Sequence, residues 1–439
     1  MQRNTTPQMI AATLQEESCI ISELYFLDHR LFVLLFFTPA SALPVSTRGY
    51  IEARFSYADF EASPEQFTER FRSTSKWYLS DSLKIELTPQ VSWTQGRYEL
   101  GEYINLLEDP LERELGRSFD QIAEECSWEV ERERTHNELS DVLDFPRLFL
   151  DLQTDIFDLR FGKQSLNWGV GQFFNPTNVL AENLLATPWQ ERAGLYALKT
   201  IVPLPRTQEL RFIASAEDPS LADIFLTGIY QRNIHNIDIS IISSSNFEQT
   251  MIGTNIKGDA KIGYWLETAY SFSDSISEGT VEISTGADYS FSVFDGLLLS
   301  TQFSYDSSGE VDPKYYDWRA RQPMEFFFPY CDTYPSLYQA PPSEARITLG
   351  RFYNLSSLRL LWNASWSTDI YALFNLHDHT GLFYPNAKFV LGSHWQWNTG
   401  VQFLIGKEGE FAPNIDSLLL PTDELIPRWT SISWLRYSF

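Results

Sequence analysis

Several features that other protein classes require are scarce in this sequence. Its 439 residues include three cysteines, Cys19, Cys126 and Cys331, with no CxxC or Cys/His spacing that would hold zinc or attach haem. No stretch reaches the 18 consecutive apolar residues of a membrane-spanning helix. Lys and Arg number 33 against 58 Asp and Glu, a net charge of −25. This excludes nucleic acid as a partner, because phosphate binding needs clustered basic side chains.

Two observations leave alternatives open. The acidic excess, concentrated in predicted loops and in residues 99–144, either keeps exposed segments soluble or favours cations in a pore or divalent ions between loops and an anionic surface. In an oxidising compartment Cys126 and Cys331 can form a disulfide, and two unrelated free thiols are the alternative. With no metal or cofactor motif present, we expect no metal and no cofactor.

A targeting signal is predicted near the start of the chain. Residues 31–37 read LFVLLFF, a run too short to cross a bilayer, with Arg30 before it and an A-x-A cleavage site at 40–42 after it. We predict a signal peptide over residues 1–42, with an over-long leader, and a mature chain over 43–439. A buried core strand is the alternative for the apolar run.

The sequence is rich in alternation between polar and apolar residues. Aromatic residues make up 15% of the chain, and segments of roughly ten residues alternate with a period of two, as barrel strands do. Gly, Asp and Asn between the segments indicate hairpin turns. We predict an all-β protein, a transmembrane antiparallel up-and-down β-barrel of about 16–18 strands, with a soluble β-sandwich as the alternative. The clearest segments are 49–58, 83–94, 261–270, 281–291, 297–305, 345–353, 358–366, 370–376, 399–405 and 431–439.

Four stretches depart from this pattern. Apolar residues such as Leu111, Leu115 and Phe119 recur at helical spacing, which predicts a helical insertion near 107–143, either plugging the lumen or decorating the surface. Long loops are predicted over 59–81, 306–343 and 406–428. Tracing strands back from the C-terminus puts 306–343 on the periplasmic side, although long loops of bacterial barrels usually face outwards.

A specific resemblance lies in residues 158–180, which read DLRFGKQSLNWGVGQFFNPTNVL. They resemble the LRxGxQxxxWGxGxxxNPTD segment of a family of Gram-negative outer-membrane barrels, porin-like and loosely akin to alginate-export barrels. Residues 370–406 are similar to late hairpins of the same family. The matching residues are Arg160, Gly162, Gln164, Trp168, Gly169, Asn175 and Pro176, whereas Asn178 stands where the family often has Asp.

The resemblance implies a channel or export pore in the outer membrane. Gly169 and Gly171 permit a sharp turn after Trp168, and the loop opened by Asn175 can fold into the barrel mouth and set its bore. The alternative is that the strand simply ends at an aromatic girdle. The candidate lumen or constriction residues are Arg160, Lys163, Gln164, Trp168, Asn175, Arg319 and Arg321.

The C-terminus and the reactive-looking motifs complete the prediction. Trp434, Tyr437 and Phe439 resemble the terminal signal that the barrel-assembly machinery reads. An HDH triplet at 377–379 and the DSSGEVD stretch at 306–312 are interpreted as turns rather than as a metal or catalytic site. We therefore predict no enzyme activity.

The expected function is a passive channel for small solutes in the bacterial outer membrane, in contact with its lipid and lipopolysaccharide. The alternatives are a barrel that exports or imports polysaccharide or lipid with a periplasmic partner, and a structural barrel.

Overall fold

The computed structural model describes residues 45–58, 65–98, 121, 134–138, 144–180, 194–216, 224–273, 276–316, 348–406, 409–411 and 429–439. Nearly all of them belong to one antiparallel sheet that closes on itself. The strands are β1 (Val45–Ala58), β2 (Glu65–Tyr78), β3 (Leu83–Tyr98), β4 (Arg134–Glu138), β5 (Asp144–Gln153), β6 (Asp158–Gln164), β7 (Leu195–Leu204), β8 (Gln208–Ala216), β9 (Phe225–Ile234), β10 (Ile237–Ser245), β11 (Thr250–Asp259), β12 (Gly263–Phe272), β13 (Thr280–Phe291), β14 (Gly296–Asp306), β15 (Phe352–Asn363), β16 (Trp366–Asn375), β17 (Gly381–Leu391), β18 (Trp395–Ile405) and β19 (Trp429–Ser438).

The sheet is an 18-stranded barrel. Strands β4 and β5 pair with successive parts of β3, so together they occupy one strand position. Strand β1 pairs with β2 on one side and with β19 on the other, which leaves no free edge. This confirms the predicted fold class and fixes the strand number at the upper end of the predicted range.

The predicted helical insertion near 107–143 lies almost wholly outside the described residues, which show no continuous helix there. Within it, Arg134–Glu138 forms strand β4, because five residues in register with the end of β3 complete its ladder of backbone hydrogen bonds. Of the rest, only Gln121 is among the described residues. No described helix is long and apolar enough to cross a membrane.

Many strands present one apolar and one polar face, as the period-two pattern predicts. In β1 the Glu52 side chain is buried inside the barrel, whereas its neighbour Ile51 is exposed on the outside. In β6 the Gln164 side chain is buried and Phe161 is 62% exposed. An apolar outside around a polar inside is the arrangement of a barrel that lies in lipid and encloses a wet lumen.

Outward aromatic rings form two belts, one at each end of the barrel. At one end a run of rings joins Trp362 to Trp366, Trp366 to Phe389 and Phe389 to Trp397, with centroids 5.2–5.6 Å apart. At the other end Tyr57 contacts Trp429 at 5.5 Å. Aromatic belts at two levels mark the two water boundaries of a membrane-spanning barrel.

The two ends of the barrel differ in the length of their connections. At the end where β1 starts and β19 finishes, which we call the turn end, every connection has two to four residues. The longest connections, among them 165–194, 307–351 and 406–428, lie at the opposite end, the loop end. Short turns face the periplasm and long loops face outwards in bacterial barrels, so the loop end is the outer end.

Two sequence predictions are corrected by this topology. The predicted loop over 59–81 contains strand β2. Its polar face, rich in Arg, lines the lumen, and the many polar residues obscure the polar–apolar alternation in the sequence. The loop after β14 lies at the loop end and not on the periplasmic side. The alternation predicts separate strands over 345–353 and 358–366, whereas one strand, β15, covers Phe352–Asn363, and the extra predicted strand reverses the side on which the loop is expected.

Candidate functional site

The connection after β6 turns into the barrel. Its described residues 165–180, which we call the inward loop, place Leu166 and Trp168 in a buried apolar cluster against the inner wall. The wall residues of that cluster come from successive strands between β7 and β12, and they are Ala197, Ile213, Ile229, Ile242, Met251 and Ala269. Because apolar side chains face the lumen here, the loop covers them and removes them from water.

One buried carboxylate of the wall binds two separate parts of the inward loop. Glu267 of β12 is 0% exposed. Its Oε1 accepts hydrogen bonds from the backbone N–H of Val170 and of Gly171, the latter at 2.7 Å. Its Oε2 accepts from the Thr177 hydroxyl at 3.0 Å and from the Thr177 N–H at 3.4 Å. These donors compensate the cost of burying the charge.

Two neutral wall side chains continue the contact. The Gln302 side chain of β14 accepts from the N–H of Gln172 at 3.2 Å and of Phe173 at 3.0 Å, and donates to the Phe174 carbonyl at 2.6 Å. On β11, the Asn255 side-chain amide donates to the Trp168 carbonyl of the inward loop at 3.2 Å. The wall therefore pairs with loop backbone, which otherwise would be unsatisfied inside the barrel.

The glycines and Asn175 shape the loop as the sequence predicted. A Cβ on Gly171 would lie 2.3 Å from the Phe174 carbonyl oxygen, and a Cβ on Gly169 would lie 2.3 Å from Asn175 Oδ1. The Trp168 indole donates to the Thr177 carbonyl at 2.6 Å and closes the loop from within. Only residues without a side chain permit so close an approach of backbone to backbone.

The tip of the inward loop reaches a second apolar cluster. Phe173 and Phe174 pack against lumen-facing residues of β15–β19, and the Phe174 ring lies 5.5 Å from that of Tyr353. The buried members are Tyr353, Leu355, Leu373, Leu382, Tyr384 and Ile432 of these strands and Phe411 of the segment after β18. Through its two clusters and its polar anchors, the loop covers the inner wall from β7 to the neighbourhood of β19.

The remaining wall carries an excess of positive charge. Among the basic side chains that face the lumen by register, nine lie on β19, β1–β3 and β6–β8, and we call these nine the basic arc. Four lumen-facing carboxylates on these strands and on β5 pair with some of them: Glu52, Glu86, Asp151 and Glu209. The basic arc consists of Arg54, Arg70, Arg72, Lys76, Lys84, Arg160, Lys199, Arg211 and Arg436.

The predicted site residues divide between the two faces of the wall. Arg160 lies in the lumen, 2.7 Å from Asp151 and with its guanidinium 4.4 Å from the Phe149 ring centre. Gln164 also faces inwards and donates to the Ala197 carbonyl at 3.1 Å. Arg319 and Arg321 lie outside the described residues.

Lys163 was predicted near the lumen face, and this is wrong. Its register partners Leu148 and Tyr196 lie on the outward face, and its ammonium is 3.3 Å from Asp144 and 5.7 Å from the Tyr196 ring centre. In a strand, successive side chains alternate between faces, so Lys163 and its neighbour Gln164 necessarily point in opposite directions.

The predicted C-terminal signal residues also lie on different faces. Trp434 packs with the second apolar cluster inside the barrel. Tyr437 lies outside against Trp395, with ring centres 4.9 Å apart. The Phe439 ring lies over Gly49 and stacks on Phe71 at 6.1 Å, across the seam between the first and last strands.

Glu267 and Gln302 are functional residues that sequence analysis missed. Both stand on the polar face of correctly predicted segments, 261–270 and 297–305, where a lone polar residue is expected to face lumen water. Their partners in the inward loop lie at least 90 residues away in the chain. The one available signal is that Glu267 is the only charged residue within Gly263–Phe272.

At the loop end, buried polar groups join four segments. Glu410 accepts from the Leu349 N–H at 3.0 Å and from the Asn375 amide at 2.9 Å, and also from the Tyr353 hydroxyl. Asp378 accepts from the Tyr316 hydroxyl at 3.1 Å. Burial, together with the Asp378 charge, raises the pKa of the Tyr316 phenol well above its usual range.

The motifs considered as metal sites serve as turns. Asp378 of the HDH triplet accepts from the Thr380 N–H and hydroxyl, both at 2.8 Å. Asp306 of DSSGEVD accepts from the N–H of Ser308 at 2.8 Å. Among the residues that the structure describes, no three His, Cys, Asp or Glu side chains come together as metal ligands.

Comparison with known proteins finds structures but no sequence relatives. No protein-family model matches the chain, and no curated protein sequence does. The barrel is similar to OccK11 (OpdR) of Pseudomonas aeruginosa, with a TM-score of 0.50, 10% identity, and coverage of 90% of this chain and 96% of that one. It is similar to OccAB1 of Acinetobacter baumannii with a TM-score of 0.50, 9% identity, and coverage of 90% and 96%.

A third similar structure is the outer membrane protein OprD of Pseudomonas aeruginosa, with a TM-score of 0.49, 7% identity, and coverage of 90% and 93%. At such low identity the likeness to these neighbours concerns the fold, a large closed antiparallel barrel. An 18-stranded barrel of this kind has the size of a porin. The kinship with alginate-export barrels stays a prediction.

Proposed function

We propose that the protein is an outer-membrane channel for the passive passage of small solutes. One observation carries the proposal: the inward loop is anchored to the wall between β7 and β19, and the basic arc lies mainly on the other strands of the ring, β1–β3 and β6. A passage bounded by a loop on one side and by charged side chains on the other has the form of a pore constriction.

The basic arc favours solutes that carry a negative group. Its nine basic side chains outnumber the four carboxylates that pair with them, and lumen charges of one sign raise the local concentration of the opposite ion. The net charge of −25 does not oppose this, because selectivity depends on the side chains that line the passage rather than on the total.

The proposed roles of the predicted site residues follow from their positions. Arg160 belongs to the basic arc and contacts passing solutes. Trp168 and Asn175 keep the inward loop in shape, and Gln164 stabilises the wall at the point where the loop begins. Arg319 and Arg321 stay predictions as further lumen residues.

We also propose the signal-peptide cleavage and the membrane partners that the sequence predicts. A cut after Ala42 leaves the mature chain beginning just before β1, which starts at Val45. The apolar outside and its aromatic belts suit contact with outer-membrane lipid and lipopolysaccharide. The barrel-assembly machinery is the proposed partner of the C-terminal residues, and no catalytic activity is assigned.

Single-channel recording in planar lipid bilayers tests the proposal. Barrel protein, identified by its altered migration on a denaturing gel without boiling, is added to one side under a KCl gradient. We expect ohmic current steps and a reversal potential on the anion-selective side, and no steps with boiled protein. A correctly folded barrel that inserts and carries no current would contradict the channel and favour a gated exporter.

A further inference from the structure

The contacts of the inward loop separate into those that any folded loop makes and those that fix it to one place. The apolar packing of Leu166 and Trp168 is not directional. The hydrogen bonds to Glu267 are directional and short, and they involve two loop segments, 170–171 and 177. A charged acceptor that holds both segments fixes the distance between them as well as their place on the wall.

Glu267 and Gln302 bind mainly backbone groups of the inward loop rather than its side chains. Three of the four donors to Glu267 are main-chain N–H groups, and Gln302 accepts from two more and donates to the Phe174 carbonyl. The Gln302 amide also donates to Ser284 of the neighbouring strand at 2.6 Å, which fixes the amide's own orientation. A charge on β12 and an oriented amide on β14 thus face consecutive parts of one loop.

We infer that Glu267 and Gln302 are the positioning residues that set the bore of the channel, with Glu267 as the dominant one. The inference rests on the proposed channel function and deepens it. Without the carboxylate, the Val170, Gly171 and Thr177 donors lose their common acceptor inside the barrel, and the loop samples positions closer to the basic arc or further up the lumen.

The variant that tests this is Glu267→Gln. It keeps the size of the side chain, but its amide N–H₂ replaces an acceptor oxygen and faces donors. The matched control is Glu86→Gln, which removes the same charge from another buried lumen carboxylate, one that pairs with Lys76 at 3.3 Å on strands distant from the loop. A pure charge effect would appear in both variants.

Loop position is read independently of current by a thiol. With the three native cysteines replaced by serine, Leu166→Cys places one thiol at a loop position that is 5% exposed. We expect its modification by a small maleimide to become at least about tenfold faster in the Glu267→Gln background, and to stay slow with Glu86→Gln. Single-channel records of Glu267→Gln should show a changed conductance with frequent partial closures.

Each outcome decides the inference. If the thiol stays protected and the current is unchanged in Glu267→Gln, the carboxylate does not position the loop. If only the current changes, the carboxylate acts through its charge. If only the thiol becomes reactive, the loop does not set the bore. Either of these two results overturns the inference.

Silence of every channel, the unsubstituted protein included, counts against the proposed function, whereas the thiol measurement still reports on the anchor. If Glu267→Gln fails to form a heat-modifiable barrel, Gln302→Leu is tested in the same two assays, with a smaller change expected in both. Unchanged behaviour of that variant then overturns the inference.

Discussion

Arg436 of the last strand forms a two-donor ion pair with Glu52 of the first strand, with Nη2 2.6 Å and Nε 2.9 Å from Glu52 Oε2. The two residues are register partners across the seam that closes the barrel. Arg54 and Arg70 lie 3.8 and 4.0 Å from the other carboxylate oxygen. One buried carboxylate therefore balances several guanidinium groups at the point where the two ends of the chain meet.

Glu52→Leu should destabilise the barrel. The change leaves Arg54, Arg70 and Arg436 without their shared counter-ion, which costs about 2–3 kcal/mol, less than in a dry interior because lumen water screens the remaining charges. Equilibrium unfolding in urea, followed by tryptophan fluorescence in detergent micelles, measures the loss. Glu52→Gln, which retains one acceptor oxygen, should lose less, and equal stability of Glu52→Leu and the unsubstituted protein would refute the expectation.

Phe439→Ala should lower the fraction of chains that assemble. The ring covers Gly49 and stacks on Phe71, so its loss exposes the seam while the backbone pairs between Gly49 and Phe439, both 3.0 Å, remain possible. The measurement is the heat-modifiable fraction of the protein in isolated outer membranes, and we expect a several-fold decrease. Phe161→Ala, an outward phenylalanine away from the seam, is the control, and a similar decrease there would remove any special role from the C-terminal ring.

Ion selectivity should depend on the basic arc and not on outward lysines. Replacing Lys84 and Lys199 together by Gln removes two positive charges from the lumen, so the reversal potential in a KCl gradient should move towards cation selectivity. Lys163→Gln removes a charge from the outward face and should leave the reversal potential unchanged. If Lys163→Gln shifted the potential as much per charge, its assignment to the outer face would be wrong.

Gly171→Ala should displace the inward loop. The new Cβ would lie 2.3 Å from the Phe174 carbonyl oxygen and 2.6 Å from Gln302 Nε2, which costs about 1–3 kcal/mol of overpacking unless the loop moves. We expect an altered single-channel conductance with the barrel still formed. Gly228→Ala is the matched control, because nothing lies within 4 Å of its added Cβ. The same conductance in both variants would contradict a steric role for Gly171.

Alkaline pH should destabilise the protein partly through Tyr316. Because its folded-state pKa is raised, the unfolded chain releases the phenol proton near pH 10 while the folded chain keeps it, so stability falls as pH rises above that value. At pH 11 the loss from this group is about 1.4 kcal/mol. The Tyr316→Phe variant has no phenol to titrate and lacks this loss. The difference in unfolding free energy between the unsubstituted protein and Tyr316→Phe should therefore shrink between pH 8 and pH 11. A constant difference would show that Tyr316 titrates normally.

The barrel was predictable because its cause is local. Alternation in β1, β12 and β14 follows from the demand that one face meet lipid and the other water, and that demand acts on every strand separately. Where polar residues interrupt the outward apolar face, as Glu69, Ser73 and Ser75 do in β2, the sequence signal fails. The side of the loop after β14 was wrong for a different reason: tracing strands back from the C-terminus depends on the parity of every strand after the loop, and the alternation divides the single strand β15 into two predicted segments.

The inward loop was predicted from Gly169, Gly171 and Asn175, whose conformational demands are local. Its anchors were not, because Glu267 and Gln302 lie far along the chain from the backbone groups that they bind, and a hydrogen bond to backbone imposes no residue type on the partner. Lys163 and Gln164 point to opposite faces of the wall, and the sequence did not predict which face each would take. A shift of one residue in strand register moves every side chain to the other face.

The sequence by itself determined the architecture: an alternating chain with apolar and aromatic outward positions and no helical span closes into a barrel, since lipid leaves no unpaired strand edge. Only the tertiary structure decided what the lumen is. Closure brings β19 beside β1 and gathers the basic side chains of seven strands on one arc, while Glu267 holds the inward loop against β12. Those contacts depend on register around the whole ring, which no single segment specifies.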